Sequence, residues 1–281
     1  MASVSNKVKE RLVLGIKKFQ PVLLSAKSRD VNESDTVMIV SDILSEVFGY
    51  DKYSEITSEF AIRSTFVDLA IKVNGRIEIL FEVKAIGLEL KENFIKQAVD
   101  YAANQGVDWV VLTNGVIWQV YNVFFNKPIE QELVLEMSFL DLNPKNDLDC
   151  DHLSLLTKEG IEKSLLGDYQ AQRQALSRYY IGQMILTDPI LDVVRKELKK
   201  VSPDVKIDNE QIKEVMVKEI IKREVLEGEK AENAKKKIIR SVSKQHKKNQ
   251  KEDSDIEEKS EESTVQADVV EPVTEAPQKT E

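Results

Sequence analysis

Cysteine is nearly absent from this chain. With Cys150 alone among 281 residues, no intramolecular disulfide can form and no cysteine-based zinc cluster can be built. Histidine is almost as scarce: His152 and His246 are too few for a histidine metal centre. No run of about 18 apolar residues occurs, so the sequence offers no membrane-spanning helix. The first residues, MASVSNKVKERLVLGIKKF, scatter charges through their apolar positions and do not read as a signal peptide. A G-x4-G-K-[ST] phosphate loop is missing too, and with it the expectation of ATP binding. Together these absences fit a reducing, cytoplasmic setting, with no membrane and no ATP among the partners.

What is present is enough for a sizeable core. Hydrophobic residues make up 42% of the chain, and its length accommodates one large domain or two smaller ones. The net charge of -9 is unevenly spread. Residues 252–281 hold 11 acidic and 2 basic side chains and so carry all of it, while the other 251 residues hold 38 of each sign. Just upstream, residues 233–251 hold eight Lys or Arg and no acid. Such a basic-then-acidic ending reads first as solvated, disordered chain. The sharper reading is a basic block that touches phosphates, with the acidic tail competing for it.

Apolar spacing divides the chain further. Val8, Leu12, Ile16 and Phe19 predict a helix over 4–24. Val37, Val40, Ile43, Leu44 and Val47 predict a second over 33–48, stopped by Gly49. Strands are expected at 53–60, 65–73 and 77–84, the last two joined at Asn74-Gly75. A helix over 91–105, carrying Phe94, Ala98, Tyr101 and Ala102 on one side, ends at Gly106. Strands follow at 109–113, after Asn114-Gly115 at 116–123, and near 131–137. NPKNDLDCD reads as a linker, placing boundaries at 1–142, 143–152 (linker), 153–232 (helical region) and 233–281 (disordered tail). Four helices are expected in the helical region, one opened by Asp188-Pro189 and one by a capping box of Asp208 with Gln211. From Gln211 onward Ile212, Met216 and Ile220 form a stripe.

The stretch FVDLAIKVNGRIEILFEVKA, residues 66–85, holds the chemistry. Two apolar strands carry Asp68, Glu82 and Lys84. By alternation, Glu78, Leu80, Glu82 and Lys84 share one face and Ile77, Ile79, Phe81 and Val83 the other. A flush two-residue turn would set Asp68 opposite Phe81. A three-residue turn, Val73-Asn74-Gly75 with a bulge, would set it opposite Leu80 and diagonal to Glu82. Clustering the charges therefore requires the bulged turn. Two carboxylates about 4 Å apart repel by roughly 4 kcal/mol at an effective dielectric of 20. A proton or cation must relieve that. Oxygen ligands with open positions suit Mg²⁺ or Mn²⁺. A lysine on the same face would orient a water and stabilise charge on a phosphate.

The pattern D-x13-E-x-K formed by Asp68, Glu82 and Lys84 resembles the PD-(D/E)xK nuclease motif. Gln97 and Tyr101, in QAVDY, look like the Q-x3-Y motif of the nuclease domain at the N-terminus of type I restriction enzyme R subunits. The resemblance covers about 30–125. It implies an α/β fold with a restriction-endonuclease-like αβββαβ core and a mixed sheet, followed by the helical region and the disordered charged tail. It also implies a Mg²⁺- or Mn²⁺-dependent deoxyribonuclease, an endonuclease in the expected form, acting on DNA without the family's ATP-driven motor. Asp68, Glu82 and the Val83 carbonyl would hold the metal, assisted by Glu33 on the first core helix, with Asp35 as a competitor for that place. Lys84 would position and activate the attacking water, and Gln97 and Tyr101 would orient Lys84 or the DNA. One departure is Val67 where the family often has proline before the aspartate.

Blander alternatives stand beside these readings. Asp68 could pair with Lys84 while Glu82 sits on a wet sheet face. Gln97 and Tyr101 could be helix surface and core. Arg63 could reach a phosphate or be simply solvated. Arg173, Arg178, Tyr179 and Tyr180 could grip DNA, although core is the preferred reading of the tyrosines. A catalytically silent module of the same fold, binding nucleic acid or protein partners through the helical region and tail, is the alternative function.

Overall fold

The computed structural model describes residues 4–62, 65–125 and 128–241. They form two compact units, the first running to Gln172 and the second starting at Arg173.

The first unit opens with α1 (Asn6–Ser28), capped by Ser5, whose hydroxyl accepts the Val8 N–H. Val8, Leu12, Ile16, Phe19, Leu23 and Ala26 make its buried stripe. The helix passes through Pro21 instead of stopping at 24, because Leu23 and Ala26 continue the stripe into the core. α2 (Glu33–Glu46) follows, with Asn32 as N-cap accepting the Asp35 N–H. The next three elements are β1 (Ile56–Ile62), β2 (Thr65–Val73) and β3 (Arg76–Val83). A 3-10 turn (Glu92–Ile95) leads into α3 (Lys96–Gln105), which Gly106 ends at φ 69°. β4 (Trp109–Thr113), β5 (Ile117–Phe124) and β6 (Glu130–Ser138) complete one six-stranded sheet in the order β1-β2-β3-β4-β5-β6. The sheet is mixed: β3 and β4 are parallel and every other pair is antiparallel. The unit is thus a mixed α/β domain. α2 packs on β1, β2 and β3, whereas α3 packs on β3, β4 and β5. Two cores result. One contains Leu12, Ile16, Leu44, Phe81 and Trp118, the other Leu80, Ala98, Tyr101 and Leu112.

The β2–β3 hairpin differs from expectation at one residue. Val73 pairs with Arg76 around a flush two-residue turn in which Asn74 and Gly75 both have positive φ, 51° and 80°. The bulge lies in β3 instead: Lys72 faces Ile77 while Ile71 faces Ile79, leaving Glu78 as the extra residue. Ile77 consequently packs toward the α3-side core and Ile79 toward the other, so the two do not share a face.

The expected linker at 143–152 is part of the first unit. Asn146 caps α4 (Asp147–Ser154) by accepting the Leu148 N–H, and Cys150 and Leu153 are buried. Leu155 and Leu156, between α4 and α5 (Lys158–Glu162), and Leu165 and Leu166 at the start of α6 (Leu165–Ala175) join the main core. Arg11 locks this extension. It donates to the carbonyls of Val47 and Phe48 and forks onto both oxygens of Glu159, at 2.9 and 2.6 Å. Its guanidinium lies where a side chain on Gly49 (φ 84°) would stand. The first compact unit thus runs past the boundary placed at 142, because the leucines that follow the polar segment join its core.

The second unit is helical. It contains α7 (Arg178–Met184), α8 (Asp188–Val201), α9 (Asn209–Val215), a π-turn (Met216–Ile220), α10 (Arg223–Leu226) and a last helix over 229–241. The N-cap of α8 is Thr187, one residue before the predicted Asp188. The Asp208–Gln211 capping box forms as expected. Ile212 is buried, whereas Ile220 of the predicted stripe is exposed. Arg178 pairs with Glu224 at 3.0 Å and lies over the Tyr179 ring; Tyr179 and Tyr180 are half-buried. The tail was expected to begin at 233, but the helix runs on to 241 because Ala231, Ala234 and Ile238 bury one stripe of it. Arg63 and residues 242–281, His246 and the acidic segment among them, lie outside the described residues. No helix among the described residues is long and apolar enough to cross a membrane.

Candidate active site

β3 holds the site because it is an interior strand. Its parallel ladder with β4 continues past Val83, where the Lys84 N–H donates to the Thr113 carbonyl at 2.8 Å. Glu82 and Lys84 are thus two residues apart on rigid backbone and on one face. On the β2 side the ladder ends at Leu69 opposite Phe81. The next positions in that register are Asp68 and Glu82. A one-residue slip in either strand brings the two carboxylates to a common face, and the bulge at Glu78 supplies it in β3. Where the strands part, Asp68 bridges the gap itself: its Oδ2 accepts the Val83 N–H at 2.6 Å.

Lys84 sits among the acids. Its Nζ donates to Glu82 Oε1 at 2.7 Å and lies 3.5 Å from Glu33 Oε2. The side chains of Glu82 and Lys84 are only 12% and 16% exposed, that of Glu33 47%, so the cluster is sheltered at its base and open at its rim. The Phe94 ring, in the turn before α3, lies 5.9 Å from the ammonium. The α2 N-terminus brings Glu33, not Asp35, into an ion pair with Lys84.

Burial pushes the Glu82 carboxyl above its ordinary range; the Lys84 hydrogen bond opposes that, while Asp68 and Glu33 add like charge. Burial pulls the other way on Lys84, yet the bond to Glu82 and the charges of Glu82, Glu33 and Asp68 leave its ammonium above its usual value. One ammonium group thus stands among three carboxyl groups.

Tyr101 is buried in the α3-side core and burial raises its phenol, while Gln97, one turn earlier, is exposed. Both stand on the helix covering the face of Leu80. Two contributors escaped notice in the sequence. Phe94 read as ordinary helix stripe. Asn114 read only as a turn, yet its amide donates to the Leu88 carbonyl and its oxygen accepts the Val116 and Ile117 N–H groups, tying down the loop after Lys84.

Among the described residues, no group of three or more His, Cys, Asp or Glu side chains forms a ready metal cage. The donors present still suit Mg²⁺ or Mn²⁺ in kind, since Mg²⁺ commonly takes one or two carboxylates and leaves its other positions to water and substrate phosphate. Asp68 and Glu82 would be that pair.

Residues 39–134 match the family described as Type I restriction enzyme R protein N terminus (HSDR_N). The resemblance drawn from Asp68, Glu82, Lys84, Gln97 and Tyr101 is thereby supported, since all five fall inside the matched stretch. Glu33 lies before it. The similarity is to a restriction-enzyme domain and points to a nuclease-like unit. Among curated proteins and among solved structures, no significant match is found.

Proposed function

We propose that the first unit is a metal-dependent nuclease that hydrolyses DNA phosphodiester bonds in the manner of a restriction endonuclease. The observation that carries this reading is the meeting of Asp68 and Glu82 where β2 and β3 part, with Lys84 bonded to Glu82. Asp68 and Glu82 would hold Mg²⁺ or Mn²⁺, with the Val83 carbonyl and Glu33 assisting. When bound, the metal would supply Lewis-acid stabilisation of the phosphate and of the attacking oxygen.

The chain's own residues divide the remaining work. Lys84, bonded to Glu82 on the same face, would donate a hydrogen bond to the attacking water and lend positive charge to the phosphate. Water oxygen bonds to phosphorus, one phosphorus–ester oxygen bond breaks, and the departing oxygen takes a proton from solvent. The proton lost by the water would pass to solvent at the open rim of the site. Gln97 would meet the DNA backbone from the exposed side of α3, and Tyr101 would brace that helix from beneath. The reaction as written uses no ATP.

A second reading has one observation in its favour. Lys84 neutralises Glu82 without any metal, so a catalytically silent module that binds nucleic acid or protein would be equally content with this network. Purified protein incubated with Mg²⁺ or Mn²⁺ on linear, circular and branched DNA, beside Lys84→Ala, separates the two. Cleavage that disappears with Lys84→Ala supports the nuclease; no cleavage of any substrate, or a variant as active as the parent, sinks it.

A further inference from the structure

The helix over 229–241 has two unlike sides. Ala231, Ala234 and Ile238, spaced three and four apart, are buried. That stripe fixes how the helix is rotated. At about 100° per residue, Lys236 and Arg240 then stand opposite the stripe, and Lys235 and Lys237 flank it on either side. All four are exposed. Among the described residues none of them is in an ion pair; Lys237 instead donates to the Gln174 side chain at 3.1 Å. The acids of this helix, Glu229 and Glu232, are confined to its first turn. Acids of the preceding element are engaged elsewhere, Glu224 by Arg178 and Glu227 by Arg223. Four cations within two turns of helix, with no ion-pair partner among the described residues, form an oriented positive surface.

We propose that this face binds the phosphate backbone of duplex DNA, independently of sequence. Choosing DNA as the polyanion rests on the nuclease reading; the surface itself does not. Charge selects a polyanion, and burial decides which kind. An amphipathic helix that lies on a lipid surface inserts its apolar side. Here that side is already packed in the protein, and among residues 235–240 Ile239 alone is both apolar and exposed, so the side offered is mainly charged. Lys236 and Arg240 rise about 6 Å apart along the helix axis, and each can meet a different phosphate. This holding surface belongs to the second unit, whereas the acidic cluster on β2 and β3 belongs to the first.

The test uses the full-length chain, a short fluorescent duplex and EDTA, so that binding is read without cleavage. The neutral triple variant Lys235→Gln/Lys236→Gln/Arg240→Gln is compared with a charge-keeping one, Lys235→Arg/Lys236→Arg/Arg240→Lys, across roughly 50–200 mM salt. The slope of log K against log salt is expected to fall by about 0.9 for each phosphate that the neutral variant no longer neutralises. The charge-keeping variant is expected to retain the parental slope and affinity. An unchanged slope in the neutral variant, equal loss in both variants, or a parent that does not bind DNA overturns the proposal. So does a neutral variant that keeps its DNA affinity but loses binding to phosphatidylserine vesicles. A protein that passes this test yet never cuts DNA with Mg²⁺ leaves the surface standing and removes the nuclease reading alone.

Discussion

The Asp68 carboxylate accepts the Val83 backbone N–H at 2.6 Å, a bond of the kind a strand partner's carbonyl makes. One side chain therefore closes the end of the β2–β3 ladder and faces the charged cluster of Glu82 and Lys84. Its structural and chemical roles can be separated by substitution.

Asp68→Asn keeps an acceptor for the Val83 N–H but removes the charge; Asp68→Ala removes both. Urea unfolding should show the alanine variant less stable than the asparagine variant by about 1–3 kcal/mol, the penalty of an unsatisfied sheltered donor. Both should fail to cleave DNA. Equal stability would mean that the bond to Val83 contributes nothing.

Metal binding should register without any substrate. A ligand that binds only the folded state raises Tm, with a stabilisation that grows as the logarithm of its concentration above Kd. Millimolar Mg²⁺ or Mn²⁺ should raise the Tm of the parent, and the rise should vanish in Glu82→Gln and Asp68→Asn. Without metal, Glu82→Gln should lose little stability, because the burial and like charge that push the Glu82 carboxyl up offset its bond to Lys84. A parent Tm indifferent to both metals would remove Asp68 and Glu82 as ligands.

Gly75→Ala tests the turn. Gly75 has φ 80°, and a Cβ there would meet nothing within 4 Å, so the cost is backbone strain alone. About 1–2 kcal/mol of destabilisation is expected. No change in the denaturation midpoint would contradict a left-handed residue at this place.

The Arg11–Glu159 fork carries a pH signature. Its hydrogen bonds to Arg11 hold the Glu159 carboxyl below its ordinary 4.5, against the opposing effect of burial. A depressed carboxylate contributes stability that is fully present above the unfolded value and lost as pH falls through the folded one. The Tm difference between the parent and Glu159→Gln should therefore be constant near neutrality and shrink on acidification below about pH 5. A difference that grows with acid would reverse the assignment.

Deletion of 252–281 removes nine net negative charges. If the acidic segment competes with DNA for the basic block, deletion should tighten non-specific binding at low salt. The gain should largely disappear where Lys235, Lys236 and Lys237 are already alanine. An undiminished gain in that background would show that the two blocks act separately.

Much of the first unit was legible because local signals and tertiary needs agree there. β4 spans the predicted 109–113, and Gly106 and Gly49 both stand at helix ends with positive φ. The site's strand residues were legible because charges within apolar strands stand out. Other features were not. A bulge at Glu78 leaves no mark in the sequence: clustering the charges was expected to require a three-residue turn at Val73-Asn74-Gly75, whereas the turn is flush and the extra residue lies in β3. α4 was missed because NPKNDLDCD is polar and short, and its value to the core comes from the leucines that follow.

The sequence by itself determined the buried stripe of α1, the spacing of Asp68, Glu82 and Lys84, and the division of charge near the C-terminus. These depend on neighbours along the chain and on backbone preferences. Only the tertiary structure decided the strand carrying the extra residue, the bond from Val83 to Asp68, the choice of Glu33 over Asp35 beside Lys84, and the side of the 229–241 helix that faces outward. Each of these is a contact between residues far apart in sequence or a rotation fixed by packing. A local pattern narrows such outcomes to a few alternatives of similar energy, and burial of the remaining surface selects among them.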